Sequence, residues 1–186
     1  GKVKELVPIL EPLGFELITQ DDFDIASPEE TGKTFIENAL IKAREVSRLS
    51  GLPSIADDSG ICVPALMGQP GIFSARYAGL AATDQENNQK LVKELENQSI
   101  NDAFYYCVLV FTRHEEDPTP IIGIGEWHGA IIQSPKGQNG FGYDPYFWLD
   151  EYKCTAADLP PETKNRISHR AHASQDLMTK LRKLSF

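Results

Sequence analysis

Residues 103–111 (Ala-Phe-Tyr-Tyr-Cys-Val-Leu-Val-Phe) are almost continuously apolar and aromatic, which is the pattern of a β-strand buried on both faces. Such a strand commits the chain to a sheet with other elements packed over it. Asp117-Pro118 then turns the chain, and residues 120–133 read as a second long strand, so the pair predicts a long hairpin. Gly123, Gly125 and Gly129 within the second strand predict bulges or close backbone approach.

Around this hairpin the sequence predicts helices. Residues 2–13 space Val3, Leu6, Val7, Leu10 and Leu13 along one helical face that stops at Gly14, although Pro8 and Pro12 oppose it. Residues 15–19 read as a short strand and 21–32 as an acidic, polar loop. Thr34-x-x-Glu37 is a capping box opening a helix with the stripe Phe35, Ile36, Ala39, Leu40, Ala43, Val46 and Leu49, ended by Gly51 and Pro53. Thr83-x-x-Glu86 opens another through Leu91, Val92 and Leu95, and residues 174–184 set Leu177, Leu181 and Leu184 on one face of a last helix. Residues 64–79 read as an extended loop, 134–144 as a glycine-rich loop and 146–149 as a short strand. The sum is an α/β fold, a mixed sheet with flanking helices, in a single domain over residues 1–186.

Three stretches could carry chemistry. The first is Ile55-Ala56-Asp57-Asp58-Ser59-Gly60-Ile61, read as a strand over 53–57, a turn, and a continuation over 61–63. Asp, Ser and Gly suit a plain polar turn, and an acidic pair at a strand end also suits a divalent cation bound through oxygen. Were the stretch to continue as a strand, Asp57 and Asp58 would point to opposite sheet faces, and only one could enter a site. The second is Gly137-Gln138-Asn139-Gly140-Phe141-Gly142-Tyr143-Asp144-Pro145, where glycines allow close approach, Phe141 or Tyr143 can stack on a flat ligand, and Asp144 can accept from ring N–H groups. A hairpin loop anchored by one aromatic explains it equally well. The third, Lys164-Asn165-Arg166-Ile167-Ser168-His169-Arg170-Ala171-His172, is the densest basic segment and could hold phosphate or a carbonyl-rich ring; otherwise it is a solvated helical face begun by Pro160-Pro161. His169-x-x-His172 lacks a third ligand at zinc spacing. Glu30 and Glu37 fit capping boxes, and Lys42, one turn beyond Asn38, can project from the polar helix face toward a ligand.

A formal net charge of −9 argues against a nucleic acid polymer or an anionic membrane surface as partner, while leaving a small anionic ligand open. No apolar run has the length of a membrane span, and no signal-peptide pattern opens the chain. Cys62, Cys107 and Cys154 fit neither a disulfide framework nor a zinc site, so a reducing cytoplasmic setting is expected. The start at Gly1 without a Met suggests a trimmed N-terminus.

Thr-Phe-Ile-Glu-Asn-Ala-x-x-Lys-Ala at 34–43, Ala-Asp-Asp-Ser-Gly at 56–60, Pro-Gly-x-x-Ser-Ala-Arg-Tyr at 70–77, Gly-Phe-Gly-Tyr-Asp-Pro at 140–145 and Ser-His-Arg at 168–170 follow one another in order over almost the whole chain. Together they resemble the inosine triphosphate pyrophosphatase family, in particular its bacterial members that clear non-canonical purine triphosphates. The resemblance implies Mg²⁺-dependent hydrolysis of ITP, dITP or XTP to the monophosphate and pyrophosphate, by a homodimer of elongated α/β fold with two lobes around a central cleft. It matches Asp58 to the general base and metal ligand, Glu30 to its partner on the metal, and Ser59 to a substrate contact. Lys2 and Lys42 match triphosphate-binding lysines, and Phe141, Gly142, Tyr143, Asp144, Lys164, His169 and Arg170 the group that reads the base. The family's opening strand and the Thr/Ser-x-Asn of its phosphate loop have no counterpart here, where only Gly1-Lys2 remains. A nucleotide-binding regulatory protein without turnover, or a related-fold pyrophosphatase for modified pyrimidine nucleotides, are the competing readings.

Overall fold

The computed structural model describes residues 16–183. The helix expected over 2–13, Lys2 with it, and Leu184 lie outside the described residues. Five strands form one open sheet in chain order: β1 (Ser54–Cys62), β2 (Asp102–Thr112), β3 (Ile121–Ile131), β4 (Phe147–Leu149) and β5 (Cys154–Thr155). The helices are α1 (Phe35–Ser50), α2 (Asp84–Leu95), α3 (Pro161–Ile167) and α4 (His169–Leu181). β2 and β3 make the expected hairpin, with the Ile131 N–H donating to the Asn101 carbonyl at 2.8 Å. Its reversal is tied by Asp117, whose carboxylate accepts from the Arg113 guanidinium at 2.6 and 2.8 Å and from the backbone N–H of Arg113 and Thr119. β4 runs antiparallel to β3, with Ala130 opposite Trp148, and β5 antiparallel to β4, with Trp148 opposite Thr155.

The chain divides into two compact units. The first holds residues up to 58, 107–125 and those from 169 on; its core sets Cys107, Leu109 and Phe111 of β2 against Ala173, Leu177, Met178 and Leu181 of α4. The second holds 59–106 and 126–168, with Ile61, Val63, Leu91, Leu95, Tyr105, Trp127 and Phe147 at its centre. Cys107, Val108, Leu109, Val110 and Phe111 are all buried, as the unbroken apolar run requires of a strand covered on both faces. Close approach explains the glycines of β3: a Cβ at Gly123 would lie 2.4 Å from the Ala173 carbonyl oxygen, and one at Gly125 2.1 Å from that of His169. Both contacts are with the backbone of α4, so the helix rests directly on the strand.

Several expectations are corrected. Residues 16–19 form no strand; the Asp22 carboxylate accepts from the N–H and hydroxyl of Thr19 and turns the chain into a 3-10 segment at Gln20–Phe23. Asp57-Asp58-Ser59-Gly60 is not a turn but the middle of β1. Gly60 stands there because a Cβ would meet the Gly71 carbonyl oxygen and Ser74 Oγ at 2.4 Å, not because the chain reverses. The 64–79 stretch contains two 3-10 segments, Pro64–Leu66 and Gly71–Arg76, the first started by Pro64 with its pre-set φ. The last helix begins at His169 rather than Ser174, and β5 is an unforeseen short strand. Pro161 does open α3, and Ser168, with extended backbone, divides the basic segment between α3 and α4.

Candidate active site

Helix α1 supplies the first group of side chains. Thr34 caps it by accepting from the Glu37 N–H, and the Glu37 carboxylate accepts in return from Lys33 N–H and the Thr34 hydroxyl, so Glu37 is a capping residue. Gly51 closes the helix in the left-handed conformation, φ 71°. Asn38 and Lys42 are four residues apart and share a face. Lys42 Nζ donates to Glu30 Oε1 at 2.7 Å and to Asp58 Oδ1 at 3.1 Å. Asn38, fully buried, donates to Asp58 Oδ2 at 3.3 Å and accepts the Gly32 N–H at 2.8 Å. Gly32 has no room for a side chain, since a Cβ would sit 2.6 Å from Asn38 Oδ1. One asparagine therefore ties the loop that carries Glu30 to the strand that carries Asp58.

Two of the three charges in this group, those of Asp58 and Lys42, are perturbed. Burial pushes the Asp58 carboxyl up, the Lys42 ammonium only partly offsets it, and the neighbouring Glu30 charge adds to the rise. Burial by itself would lower Lys42, but its hydrogen bond to Glu30 and the Asp58 and Glu30 charges outweigh that and hold the ammonium more firmly. A buried carboxylate whose hold on a proton is strengthened in this way is suited to take one from water. Because β1 is continuous, its alternation separates the adjacent acids: Asp58 meets Lys42 and Asn38, while Asp57 forms an ion pair with Arg170 at 3.5 Å. His169, the first residue of α4, is buried beside Arg170, and Ser59 is half-buried in β1.

The second group belongs to the loop before β4. Asp144, 2% exposed, accepts from the Tyr105 hydroxyl at 3.2 Å, from the Phe141 N–H at 2.9 Å and from the Lys164 ammonium. Lys164 also lies over the Phe141 ring, 5.0 Å from its centroid. Phe141 itself is 63% exposed, whereas Tyr143 is buried, its hydroxyl donating to the Ser74 carbonyl at 2.8 Å. Of the two rings proposed to stack, only Phe141 is thus accessible, and Asp144 spends three acceptor sites on protein donors. Gly140, φ 80°, has no space for a Cβ because Asp144 Oδ2 would lie 2.1 Å away. Asn38 and Tyr105 escaped the sequence reading. Asn38 had a signal, an amide inside a helix one turn before Lys42; Tyr105 had none, being one aromatic within an apolar strand.

The two carboxylates suit a hard divalent cation bound through oxygen. Glu30 and Asp58 turn carboxylate oxygens onto one point, where Lys42 Nζ now supplies the positive charge. No group of three or more His, Cys, Asp or Glu able to hold a metal occurs among the described residues, so a cation here would take one or two carboxylates together with oxygens from a ligand and water.

Comparison with known proteins gives a consistent picture. The sequence model of the Ham1 family matches residues 1–180. The dITP/XTP pyrophosphatase of Nitrosomonas europaea is 53% identical over 97% of this chain and 89% of its own length, and that of Bordetella pertussis 52% identical over 98% and 87%. Among solved structures, a HAM1 protein from Coxiella burnetii superposes with a TM-score of 0.95 at 45% identity, covering 98% of this chain and 94% of that one. The Staphylococcus aureus Ham1 protein gives 0.90 at 36% identity, covering 98% and 93%.

Proposed function

The chain belongs to the Ham1 family, and we propose that it hydrolyses the non-canonical purine nucleoside triphosphates dITP, XTP and ITP to the monophosphate and pyrophosphate. The observation that carries the reading is the convergence of Glu30, Lys42 and Asp58 within hydrogen-bonding distance. Phosphoryl chemistry asks a protein mainly for positioning and charge neutralisation, and two acids with a lysine are the parts it needs. Asp58 takes the proton of a water attacking the α-phosphorus; the new P–O bond forms as the bond to the bridging oxygen breaks and pyrophosphate leaves. Glu30 and Asp58 hold Mg²⁺, which supplies charge neutralisation on the phosphate oxygens. Lys42 binds the triphosphate, with Lys2 as a second cation and Ser59 as a further contact. Phe141 offers its exposed ring to the base, and Lys164, His169 and Arg170 provide polar contacts, with Gly142, Tyr143 and Asp144 shaping the loop. Lysine and arginine can only donate, so they favour a 6-oxo acceptor over the 6-amino group of adenine. The residues act as one domain; the enzyme is a homodimer, a reading that rests on the resemblance, and cytoplasmic, a reading that rests on the cysteine usage. No described helix is long and apolar enough to cross a membrane.

The test is pyrophosphate release from dITP, XTP, ITP, ATP and GTP with Mg²⁺. Fast release from the first three and little from ATP and GTP is expected. Tight dITP binding with no release from any of them would overturn the proposal in favour of a binding protein. Asp58→Asn should lose about 10²–10⁴-fold in kcat, the usual contribution of a general base, while still binding dITP.

A further inference from the structure

The loop that presents Phe141 is held from outside itself. Gly142 has φ 59°, a conformation that favours glycine, and nothing approaches the place of its absent side chain, so the backbone shape alone demands the residue. Both polar groups of its backbone go to the first turns of α2. The Gly142 N–H donates to Asp84 Oδ2 at 2.7 Å, and its carbonyl accepts from Asn88 Nδ2 at 2.8 Å. Asn88 gives its other amide proton to the Asp84 carbonyl at 2.8 Å, which joins the two grips into one clasp. On one side of Phe141 its own N–H is fixed by Asp144; on the other, Tyr143 is anchored through Ser74. The exposed ring therefore sits between four tethers, and the two from α2 reach across more than fifty residues of sequence.

We infer that Asp84 and Asn88 are positioning residues for base recognition: by clamping the Gly142 peptide they fix the Phe141 ring against which the base stacks, without touching nucleotide themselves. This role rests on the proposed function, in which Phe141 meets the base. A stacking partner improves affinity only if its position is set before the ligand arrives, because any ordering on binding is subtracted from the contact. Asp84 is a surface residue at the start of a helix whose capping is already satisfied by Thr83 and Glu86, so its side chain is not required to begin the helix. That leaves its bond to Gly142 as the interaction it alone provides.

The experiment compares Asp84→Ala, Asn88→Ala, Asp84→Asn and Thr83→Ala with the unmodified chain, measuring kcat and KM for dITP, XTP, ATP and GTP and the melting temperature of each. Loss of either bond that orders the loop, the charge-assisted one to Asp84 or the neutral amide one from Asn88, should raise KM for dITP and XTP by roughly five- to tenfold in the two alanine variants at unchanged kcat. The preference for dITP over ATP should narrow with it. Asp84→Asn keeps an acceptor and should restore most of the loss. Thr83→Ala loosens the same helix turn but leaves Gly142 held, so it should lower the melting temperature without moving KM. Unchanged KM and base preference in both alanine variants, or an equal KM change in Thr83→Ala, would overturn the inference. Absence of hydrolysis by the unmodified chain would instead strike the function itself.

Discussion

At the scale of single residues, Asn38 shows how a buried amide tunes the acid it touches. Its Nδ2–H favours the charged form of Asp58, so replacing it lifts a carboxyl that burial has already raised. In the proposed mechanism Asp58 must be unprotonated to work, hence the acidic limb of the pH–rate profile should move to higher pH in Asn38→Leu. A kcat/KM profile for dITP checks this, and an unmoved limb would refute it. The same change leaves the Gly32 N–H without its acceptor, for about 1–3 kcal/mol of lost stability. Much of this neighbourhood was legible. Lys42 belongs to a helix whose cap and stop are written locally, although Ile36 and Leu49 of the expected stripe are exposed and Asn38 and Ser47 are buried instead, and Asp58 stands out through its motif. Asp144 was legible as a candidate but not in its contacts, since the partners Tyr105 and Lys164 are set by tertiary packing that no local pattern records. Tyr143 was misjudged for a like reason: an aromatic beside glycines looks available until the carbonyl of Ser74 claims its hydroxyl.

At the scale of elements, β1 is where local reasoning and the structure part. Asp-Asp-Ser-Gly has turn chemistry at every position, yet the strand runs straight through because its polar groups find partners off the sheet. Ser74 Oγ accepts the Ile61 N–H at 2.9 Å, and Gly60 permits that approach. Gly60→Ala should cost about 1–3 kcal/mol, the usual penalty of overpacking, because one of the atoms in its way is a backbone oxygen that cannot swing aside. Chemical denaturation at neutral pH measures it; a midpoint like that of the original chain would mean that the Gly71 loop yields. Helix caps were readable for the opposite reason. Thr34-x-x-Glu37 and Thr83-x-x-Glu86 close their hydrogen bonds within four residues, so the sequence contains the whole motif.

At the scale of the whole molecule, a formal net charge of −9 and a sequence pI near 4.9 make acidification a contest between two effects. Protonating carboxylates first relieves self-repulsion, which favours the folded chain. Against this, the Arg113 guanidinium beside Asp117 holds its carboxyl well below the usual carboxylate range, despite burial that works the other way. A lowered folded pKa gives stability that is complete above the unfolded value, about 3.9, and is lost as the pH falls from there toward the folded one. Asp117→Asn should therefore lower the melting temperature at pH 7 but flatten its decline below about pH 5, where ordinary carboxylates start to take up protons. Melting curves across pH check this, and parallel declines in the two proteins would show that Asp117 contributes nothing to acid sensitivity.

The bare stretch of β3 at Gly123 and Gly125 bears on which positions can vary. Helix α4, which begins with His169 and Arg170, lies against a groove made by the lack of side chains, with its backbone where a methyl group would otherwise stand. Mutational tolerance along the strand is therefore inverted from what a ligand-centred view expects. Two residues that carry no functional group admit no replacement without displacing that helix, so a pair of hydrogen atoms on β3 sets where α4 can lie.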